Sequence, residues 1–403
     1  FGAKMWAVPR RLTSATSSRC TPRAASRLLS APRLLSTIAR DYDVVVCGGG
    51  VIGASVAYHT ILADPRLRVC VVERDVRYTH ASAMLSAGGI RQQFSLPANI
   101  QLSLYGLDFL RRAASDLCVP GEEPPDLQFK EQGYLFLASE QGEATLRRNH
   151  ATQRAEGVDW MRLLDPDELA TRFPWMDVGG VALGCLGEHS EGWFDPWALL
   201  TALRSKARSL GVTFHAGEVT GFDLERTAPA AIRAVRVADA EGGSSLLGAR
   251  EVVNAAGAFA GKLVGLCGAR VAPLPVAARK RCVFSFDAGS RGGAREEARG
   301  VPPGGTTPLV VDPSGVYFRP EGASGQFLCG VSPPKARGDP DYDDVGALDA
   351  VDHDLFEEVR SVSRTHPLHV RVTHLLARRT GPHSTHTLRT TGSGADTRHT
   401  VTG

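Results

Sequence analysis

The order of apolar and polar residues predicts strands alternating with helices from residue 43 onwards. Val44–Cys47 and Val69–Val72 are short apolar runs typical of buried strands, and a helix is predicted over 54–62 between them. Val44–Ala63 has no charged residue and has about the length of a membrane span. Three consecutive glycines interrupt it, which favours a strand, a tight turn and a helix in the order of a parallel sheet.

Later segments predict a return to the same sheet and a second lobe. Arg250–Phe259 has the pattern of a strand that ends in Ala-Gly and continues into a helix. Asp195 is a favourable N-cap and is followed by proline, which predicts a helix over 197–210. Further strands, in an antiparallel or mixed sheet, are predicted within 133–137, 276–286 and 308–330.

These elements predict an α/β fold in which a Rossmann-like nucleotide-binding domain is split in sequence and a mixed or antiparallel sheet forms a substrate lobe. The nucleotide-binding domain is predicted at 41–110 and 216–270. The substrate lobe is predicted at 111–215 and 271–360, with residues 1–40 and 361–403 outside both.

A glycine-rich turn after the first predicted strand carries the strongest chemical signal in the chain. Gly48, Gly50 and Gly53 fit the pattern G-x-G-x-x-G, with Val51 and Ile52 between the last two. In this motif the first glycine makes the turn, the second admits a pyrophosphate and the third lets the helix pack against the strand. The helix start offers free N–H groups to the diphosphate. The sequence therefore predicts a dinucleotide site.

The residues after the second strand bear on which dinucleotide is bound. Glu73 lies twenty residues beyond Gly53, where a carboxylate can accept hydrogen bonds from ribose hydroxyls. A carboxylate disfavours the 2′-phosphate of NADP, although Arg74 is adjacent. The fingerprint alone leaves FAD and NAD open. A loop rich in small residues follows and permits close approach of a long ligand; it includes Ser82, Gly88, Gly89 and Ile90.

Longer stretches resemble the FAD-dependent oxidoreductases of the D-amino-acid oxidase, sarcosine oxidase and dimethylglycine dehydrogenase group. The resemblance covers about residues 41–358. Besides the fingerprint, it is carried by Gly88–Pro97, Asn99–Leu104, Glu191–Trp197 and Val316–Arg319. It implies that FAD is the cofactor. The residues implied to hold FAD are the glycine turn, Glu73, Arg74, the Ser82–Ile90 loop, the backbone of Val219 at the adenine, and Ala256 with Gly257.

The resemblance also implies a reaction, in which a hydride leaves a carbon next to the nitrogen of a small amine or amino acid and reaches flavin N5. A carboxylated substrate needs a cation, and arginine suits it best. Arg91, Arg319 and Arg281 are the candidates, with Tyr317 as a hydrogen-bonding partner. Relatives with covalent flavin have a histidine in the pattern Ser-Thr-Trp-His-Ala-Ala-Gly. Leu85 occupies that position here, which predicts non-covalent FAD.

Two other functions compete with amine oxidation. The resemblance also fits a flavoprotein that assists assembly of respiratory complex I with little or no turnover, with complex I subunits or assembly intermediates as partners. An NAD dehydrogenase remains only if the protein binds no flavin. The sequence has no G-x-S-x-G element and no Cys/His spacing typical of zinc, so no metal site is predicted.

The positive net charge of the chain is due to its first forty residues. The net charge is +3, but residues 1–40 hold Lys4, seven arginines and no acidic residue, so the remainder has 38 basic and 43 acidic residues. This distribution argues against a nucleic-acid partner. A basic leader rich in serine and alanine is typical of a mitochondrial transit peptide. It predicts a location in the matrix or at the matrix face of the inner membrane, without a transmembrane segment.

The composition changes again near the C-terminus. Residues 361–403 contain six of the twelve histidines, one acidic residue and few apolar residues beyond Leu376. The histidine spacing follows no ligand pattern, so a disordered or aberrant tail is predicted. The related family normally has another segment here, which returns to the pyrimidine edge of the flavin.

Overall fold

The structure is a computed structural model, and it describes residues 41–225, 231–268, 271–287, 302–322, 325–333, 352, 354–357, 359, 374–378 and 385–388. In chain order the strands are β1 (Tyr42–Cys47), β2 (Val69–Glu73), β3 (Gly89–Ile90), β4 (Tyr134–Ala138), β5 (Met161–Leu164), β6 (Leu183–Gly187), β7 (Gly192–Trp193), β8 (Thr213–Ala216), β9 (Glu218–Leu224), β10 (Ile232–Ala238), β11 (Ser244–Asn254), β12 (Val283–Asp287), β13 (Leu309–Val311), β14 (Tyr317–Pro320), β15 (Gln326–Gly330), β16 (His374–Arg378) and β17 (Thr385–Leu388). The helices are α1 (Val51–Ala63), α2 (Pro97–Asp116), α3 (Glu140–Ala155), α4 (Pro166–Arg172), α5 (Pro196–Ser209) and α6 (Ala260–Gly265), with a 3-10 helix at Gly257–Phe259.

The first sheet has six strands in the order β8-β2-β1-β11-β10-β9. The four strands from β8 to β11 are parallel, and β11, β10 and β9 form an antiparallel meander. Strand β11 therefore joins both parts, and it lies beside β1 although about 200 residues separate them in sequence. The predicted split nucleotide-binding domain and the α/β class are confirmed.

Helices α1 and α5 cover one face of the parallel strands. Ala54 and Ala57 of α1 are fully buried, as is Leu200 of α5. Small residues on α1 allow this close approach of a helix to the sheet. Asp195 accepts a hydrogen bond from Trp197 N at 2.8 Å, so the N-cap predicted for α5 is confirmed.

The second sheet has nine strands in the order β17-β16-β12-β15-β14-β13-β4-β6-β5. It is antiparallel except where β13 runs parallel to β4. One face packs into an apolar core that includes Leu135, Val310, Phe318 and Phe327. The opposite face carries polar and aromatic side chains, among them Tyr134, Tyr317 and Arg319.

A two-stranded ribbon links the loop that follows the first sheet's strand β2 to the second sheet. Strand β3 pairs antiparallel with β7, with Gly89 opposite Trp193 and Ile90 opposite Gly192. Gly192 has a φ of +151°, and a side chain there would collide with the carbonyl of Lys130. Only glycine fits this position, because the chain passes within contact of a third backbone segment.

Two predicted domain limits differ from the observed elements. The predicted limit at 110 falls inside α2, and the limit at 215 falls inside β8, which pairs with β2 of the first sheet. Helix α5 and β8 form a crossover that adds a parallel strand, so this segment lies with the nucleotide-binding sheet. The remaining limits stay predictions.

The predicted disorder of the tail is wrong for two segments, since β16 and β17 pair as a hairpin beside β12. The unpaired edge of a sheet can order a short segment by backbone hydrogen bonds even when its side chains give little signal. The rest of 361–403 and the whole predicted leader 1–40 lie outside the described residues. None of the described helices is long and apolar enough to cross a membrane.

Candidate functional site

The glycine turn between β1 and α1 is built for close backbone contact. Gly48 has a φ of +105°, and a side chain there would collide with Ala255 at the end of β11. A side chain at Gly53 would collide with the carbonyl of Gly48. Gly50 differs, because a Cβ there meets nothing within 4 Å. The turn therefore has two glycines that the fold itself requires and one that borders open space.

The start of α1 has hydrogen-bond donors to offer. Gly50 is the N-cap and provides no side-chain cap, so the first-turn N–H groups lack a side-chain partner. Val51 and Ile52 belong to this first turn, and Ile52 is largely exposed. Together with the space beside Gly50, this uncapped helix start forms a cradle for a diphosphate.

Glu73 lies over the same turn. Its Oε2 accepts a hydrogen bond from Gly49 N at 2.7 Å, and its Oε1 accepts one from Asp75 N at 2.8 Å. The carboxylate is thus held at the carboxyl end of β2, beside the turn. In a sheet of this topology ligands bind at the carboxyl ends of the parallel strands.

Further predicted nucleotide contacts converge on this edge. The Arg74 guanidinium lies 4.6 Å from the centre of the Phe259 ring and 3.9 Å from Glu218 Oε1. Val219 and Ala256 pack against one apolar cluster. Gly257 begins the 3-10 helix that follows β11. The structure therefore brings these residues to the edge that carries Glu73, while their contacts with FAD stay predictions.

Tyr78 is a residue of this edge that the sequence did not reveal. It is 2% exposed and has a φ of +58°, an uncommon conformation for a bulky residue. A Cβ on Gly49 would lie 3.1 Å from its hydroxyl, which has no hydrogen-bond partner among the described residues. Burial raises the pKa of Tyr78 to about 12, so the hydroxyl keeps its proton.

Two side chains of α5 hold the Tyr78 ring. The Arg204 guanidinium lies 4.8 Å from the ring centre, and Trp197 makes an edge contact at 6.3 Å. A donor without a partner is thereby fixed beside Glu73. A nucleotide hydroxyl is the kind of group that would satisfy it. The residues present at this edge therefore fit an FAD nucleotide.

The predicted flavin loop, Ser82–Ile90, ends in the β3–β7 ribbon. Gly88 has a φ of +63°, and a side chain there would collide with Phe194 O. Phe194 N donates to Gly88 O at 3.0 Å. Leu85 lies in this loop and is half-buried. It has no nucleophilic atom, so non-covalent attachment stays the prediction.

The end of this loop borders the polar face of the second sheet. A Cβ on Gly89 would lie 3.4 Å from the Tyr134 ring and 3.5 Å from Leu309. Strand register places Tyr134 and Phe136 of β4 on the same face as Tyr317 and Arg319 of β14. Tyr134, in a predicted strand, carried no sequence signal for a site.

Arg91 is held in an aromatic cage on this face. Its guanidinium lies 4.4 Å from the centre of the Phe94 ring, 4.9 Å from that of Phe136 and 5.5 Å from that of Tyr134. It also donates to Gln93 O. Such contacts stabilise a cation, and among the described residues no carboxylate forms a salt bridge with Arg91. Arg91 is accordingly positioned to attract an anion at this face.

Arg319 has a different environment. It is buried, its Nε donates to Ala87 O at 2.7 Å, and its Nη1 lies 2.6 Å from Glu321 Oε2. Burial lowers the pKa of Arg319. These contacts join β14 to the flavin loop, and the predicted role of Arg319 in binding a substrate carboxylate stays a prediction.

Tyr317 and Arg281 differ in burial. The Tyr317 hydroxyl lies against Gly330, where a Cβ would be 2.6 Å away, and burial raises its pKa to about 12. Tyr317 is therefore protonated and able to donate a hydrogen bond. Arg281 is exposed and donates to Lys280 O at 2.7 Å.

The described residues contain no cluster of three or more His, Cys, Asp or Glu side chains that could hold a metal ion.

Comparison with known proteins agrees with this geometry. The family model DAO, FAD dependent oxidoreductase, matches residues 43–386. This chain belongs to that family of FAD-dependent oxidoreductases. FAD is therefore its cofactor, and the residues at the first sheet's edge fit it.

Individual relatives differ in how much they share. FAD-dependent oxidoreductase domain-containing protein 1 of Bos taurus is 42% identical over 338 residues, which are 78% of this chain and 66% of the relative. The chain thus spans about two thirds of that relative's length. Human mitochondrial dimethylglycine dehydrogenase is 26% identical over 228 residues, 56% of this chain and 24% of the relative.

A solved structure supports the fold. L-proline dehydrogenase from P. horikoshii superposes with a TM-score of 0.64 at 23% identity, over 81% of this chain and 77% of that one. At this identity the likeness concerns the fold alone.

The open space beside Gly50 gives a direct test of the diphosphate site. We expect Gly50→Val to weaken FAD binding at least tenfold, about 1.4 kcal/mol or more, since the side chain would occupy the ligand's path. The apoprotein should lose no more than about 1 kcal/mol of stability, because a Cβ there meets nothing and only the N-cap preference changes. Flavin content and chemical denaturation of the apoprotein measure the two effects.

Gly106→Val in α2 is the matched control, because a Cβ at Gly106 also meets nothing within 4 Å. It should retain FAD. A soluble Gly50→Val protein with wild-type flavin content would contradict the placement of the diphosphate.

Tyr78→Phe tests the hydroxyl without a partner. Removing a buried unsatisfied group should stabilise the apoprotein by roughly 1 kcal/mol, whereas loss of a hydrogen bond to FAD should weaken FAD binding about fivefold. The melting temperature of the apoprotein should therefore rise, while its affinity for FAD should fall. Tyr105→Phe, at an exposed tyrosine, should change neither. An unchanged FAD affinity in Tyr78→Phe would show that the hydroxyl makes no contact with the nucleotide.

Proposed function

We propose that this chain is a mitochondrial FAD-dependent oxidoreductase that removes a hydride from the carbon next to the nitrogen of a small amine or amino acid. The observation that carries this proposal is the convergence of Arg91, Tyr134, Tyr317 and Arg319 on one sheet face beside Gly89, where the flavin loop ends. A relative named for dimethylglycine supports the substrate class.

The charges on this face favour a carboxylated substrate. Glu321 lies 2.6 Å from Arg319 and offsets its charge. Arg91 contacts aromatic rings instead of a carboxylate, so its positive charge remains available to an anion. An arginine can bind a carboxylate through two parallel hydrogen bonds. Arg91 is therefore the cation that we expect to hold the substrate carboxylate.

The remaining groups orient the substrate and exclude water. Burial raises the pKa values of Tyr134 and Tyr317, so both phenols keep their protons and can donate hydrogen bonds to a substrate. Phe136 and Leu309 add apolar surface on the same sheet face, which strengthens electrostatic contacts there by excluding water. When bound, FAD would accept the hydride, which carries both electrons of the oxidation.

Reduction of the flavin by amines is the decisive experiment for this function. The purified chain, kept without oxygen, should lose its visible flavin absorption on addition of at least one of dimethylglycine, proline or glycine. The matching carboxylic acids without nitrogen should cause no change, and the flavin-depleted apoprotein should serve as the blank. Reduction by 2-hydroxy acids but by none of these amines would contradict the proposed substrate class.

We propose that residues 1–40 direct import into mitochondria, and a separate experiment tests this. A reporter fused to residues 5–40, which begin at the first methionine, should accumulate in the mitochondrial matrix, because the leader carries only positive charges. The same leader with its arginines replaced by glutamine is the control and should stay in the cytosol. A cytosolic wild-type fusion would overturn the proposal. The alternative role in complex I assembly stays a prediction.

A further inference from the structure

Glu191 is a buried acid that the proposed reaction does not use. It precedes β7 and is 0% exposed. Its Oε1 accepts a hydrogen bond from the backbone N–H of Gln92 at 2.5 Å, and its Oε2 accepts one from the side-chain amide of Gln93 at 2.7 Å. The same Gln93 amide donates to Tyr134 O at 2.8 Å. One carboxyl group thus connects the end of the flavin loop, β7 and the start of β4.

The position of this carboxyl group is fixed by its surroundings. A Cβ on Gly187 would overlap Glu191 Oε2, so β6 gives the side chain room only because residue 187 is glycine. The β3–β7 pairing continues directly into the contact between Gln92 and Glu191. Movement of Glu191 would therefore disturb both the ribbon and the caged Arg91.

When Glu191 is ionised, the cluster contains buried hydrogen-bond acceptors that have no donor. The side-chain oxygens of Gln92 and Gln93 are buried and have no donor among the described residues. Both oxygens of Glu191 accept hydrogen bonds already. The cluster thus has more acceptors than donors. A proton on Glu191 would supply a donor to the Gln93 side-chain oxygen once that amide is rotated, since the amide nitrogen faces Glu191 now.

Burial favours the protonated form of Glu191, whereas its charged neighbour Arg91 and its hydrogen-bond donors favour the ionised form. Arg91 faces Glu191 from the segment after β3, Tyr134 from β4 and Cys185 from β6. The adjacent Ser190 contacts Glu131 and Arg111, which form their own ion pair at 3.1 Å. Burial outweighs the attraction of Arg91 and raises the pKa of Glu191 to about 7.

We propose that Glu191 is a positioning residue whose protonated carboxyl group holds the Arg91–Gln93 segment against β7 and keeps the flavin loop docked for FAD. The ionised form lacks the extra donor and places a charge in a buried cluster, so it favours release of this segment. The proposal depends on FAD binding by this family of proteins and does not depend on an amine as the substrate.

The direction of the pH effect follows from the raised pKa. The proton is bound more tightly when the segment is docked than when it is released into water. Docking is therefore favoured at acidic pH, and this contribution is lost as the pH rises from the ordinary range of a glutamate through about 7. Each unit of pKa difference between the two forms corresponds to about a tenfold change in equilibrium.

Titration of the full-length apoprotein with FAD, followed by flavin fluorescence, tests the proposal. From about pH 6 to about pH 8.5 we expect the wild-type Kd for FAD to rise roughly tenfold. Glu191→Gln is neutral at every pH and carries a donor, and the Gln93 amide can rotate to match it. This variant should therefore keep its affinity at about pH 8.5 close to its value at about pH 6.

Cleavage by trypsin after Arg91 gives a second, local measurement in the apoprotein. It should become faster with rising pH in the wild type and stay slow in Glu191→Gln. Glu191→Ala should bind FAD weakly and be cleaved at both pH values. Glu188→Gln is the matched control, since Glu188 lies on the same segment, pairs with Arg172 at 2.6 Å and should behave as wild type.

The proposal fails if wild type and Glu191→Gln share one pH profile, or if the cleavage rate after Arg91 does not follow FAD affinity. It also fails if Glu191→Ala binds FAD as wild type does. If Glu191→Ala does not fold, the comparison of wild type, Glu191→Gln and Glu188→Gln still tests the proposal. No measurement involves an amine, so failure here is distinct from failure of the proposed reaction.

Discussion

Close backbone contact between Gly88–Ile90 and Gly192–Phe194 is the constraint on which the site depends. A side chain at Gly88 would collide with Phe194 O, so glycine there lets the two segments meet. A side chain at Gly192 would collide with Lys130 O, so glycine there lets a third segment pack against the ribbon. The contact joins the end of the flavin loop to the polar face of the second sheet. Without it, the residues proposed for substrate binding would have no fixed relation to the residues that bind FAD.

The two ends of the FAD site are stabilised by different means. Most of the nucleotide end is formed by neighbouring elements, since β1, the glycine turn, α1 and β2 lie within about thirty residues of one another, and the segment after β11 adds Ala256 and Gly257 from farther along the chain. The flavin end is held by contacts between distant parts of the chain. Arg319 donates to Ala87, Phe194 donates to Gly88, and Glu191 accepts from Gln92. Small changes in these contacts would move the loop while leaving the nucleotide end intact.

This difference explains how much the sequence could predict. The fingerprint, Glu73 and the Asp195 cap depend on residues near each other in the chain, and their patterns predicted local structure correctly. The burial of Glu191 depends on a partner 99 residues away, and no periodicity encodes it. The same holds for Tyr134, which lies in a correctly predicted strand whose neighbours are set by the sheet. The strands β16 and β17 were missed because their order arises from pairing, of β16 with β12 and of β17 with β16.

Hydrogen exchange of the protein with and without FAD tests most directly whether one ribbon links both ends of the site. Amide exchange reports local opening of the segments that ligand binding holds closed. The arrangement predicts that FAD slows exchange at residues 48–53 of the turn and also at 88–93 and 191–194 of the ribbon. Slower exchange at the turn, with the ribbon unchanged, would contradict the claim that docking of the flavin loop is part of FAD binding.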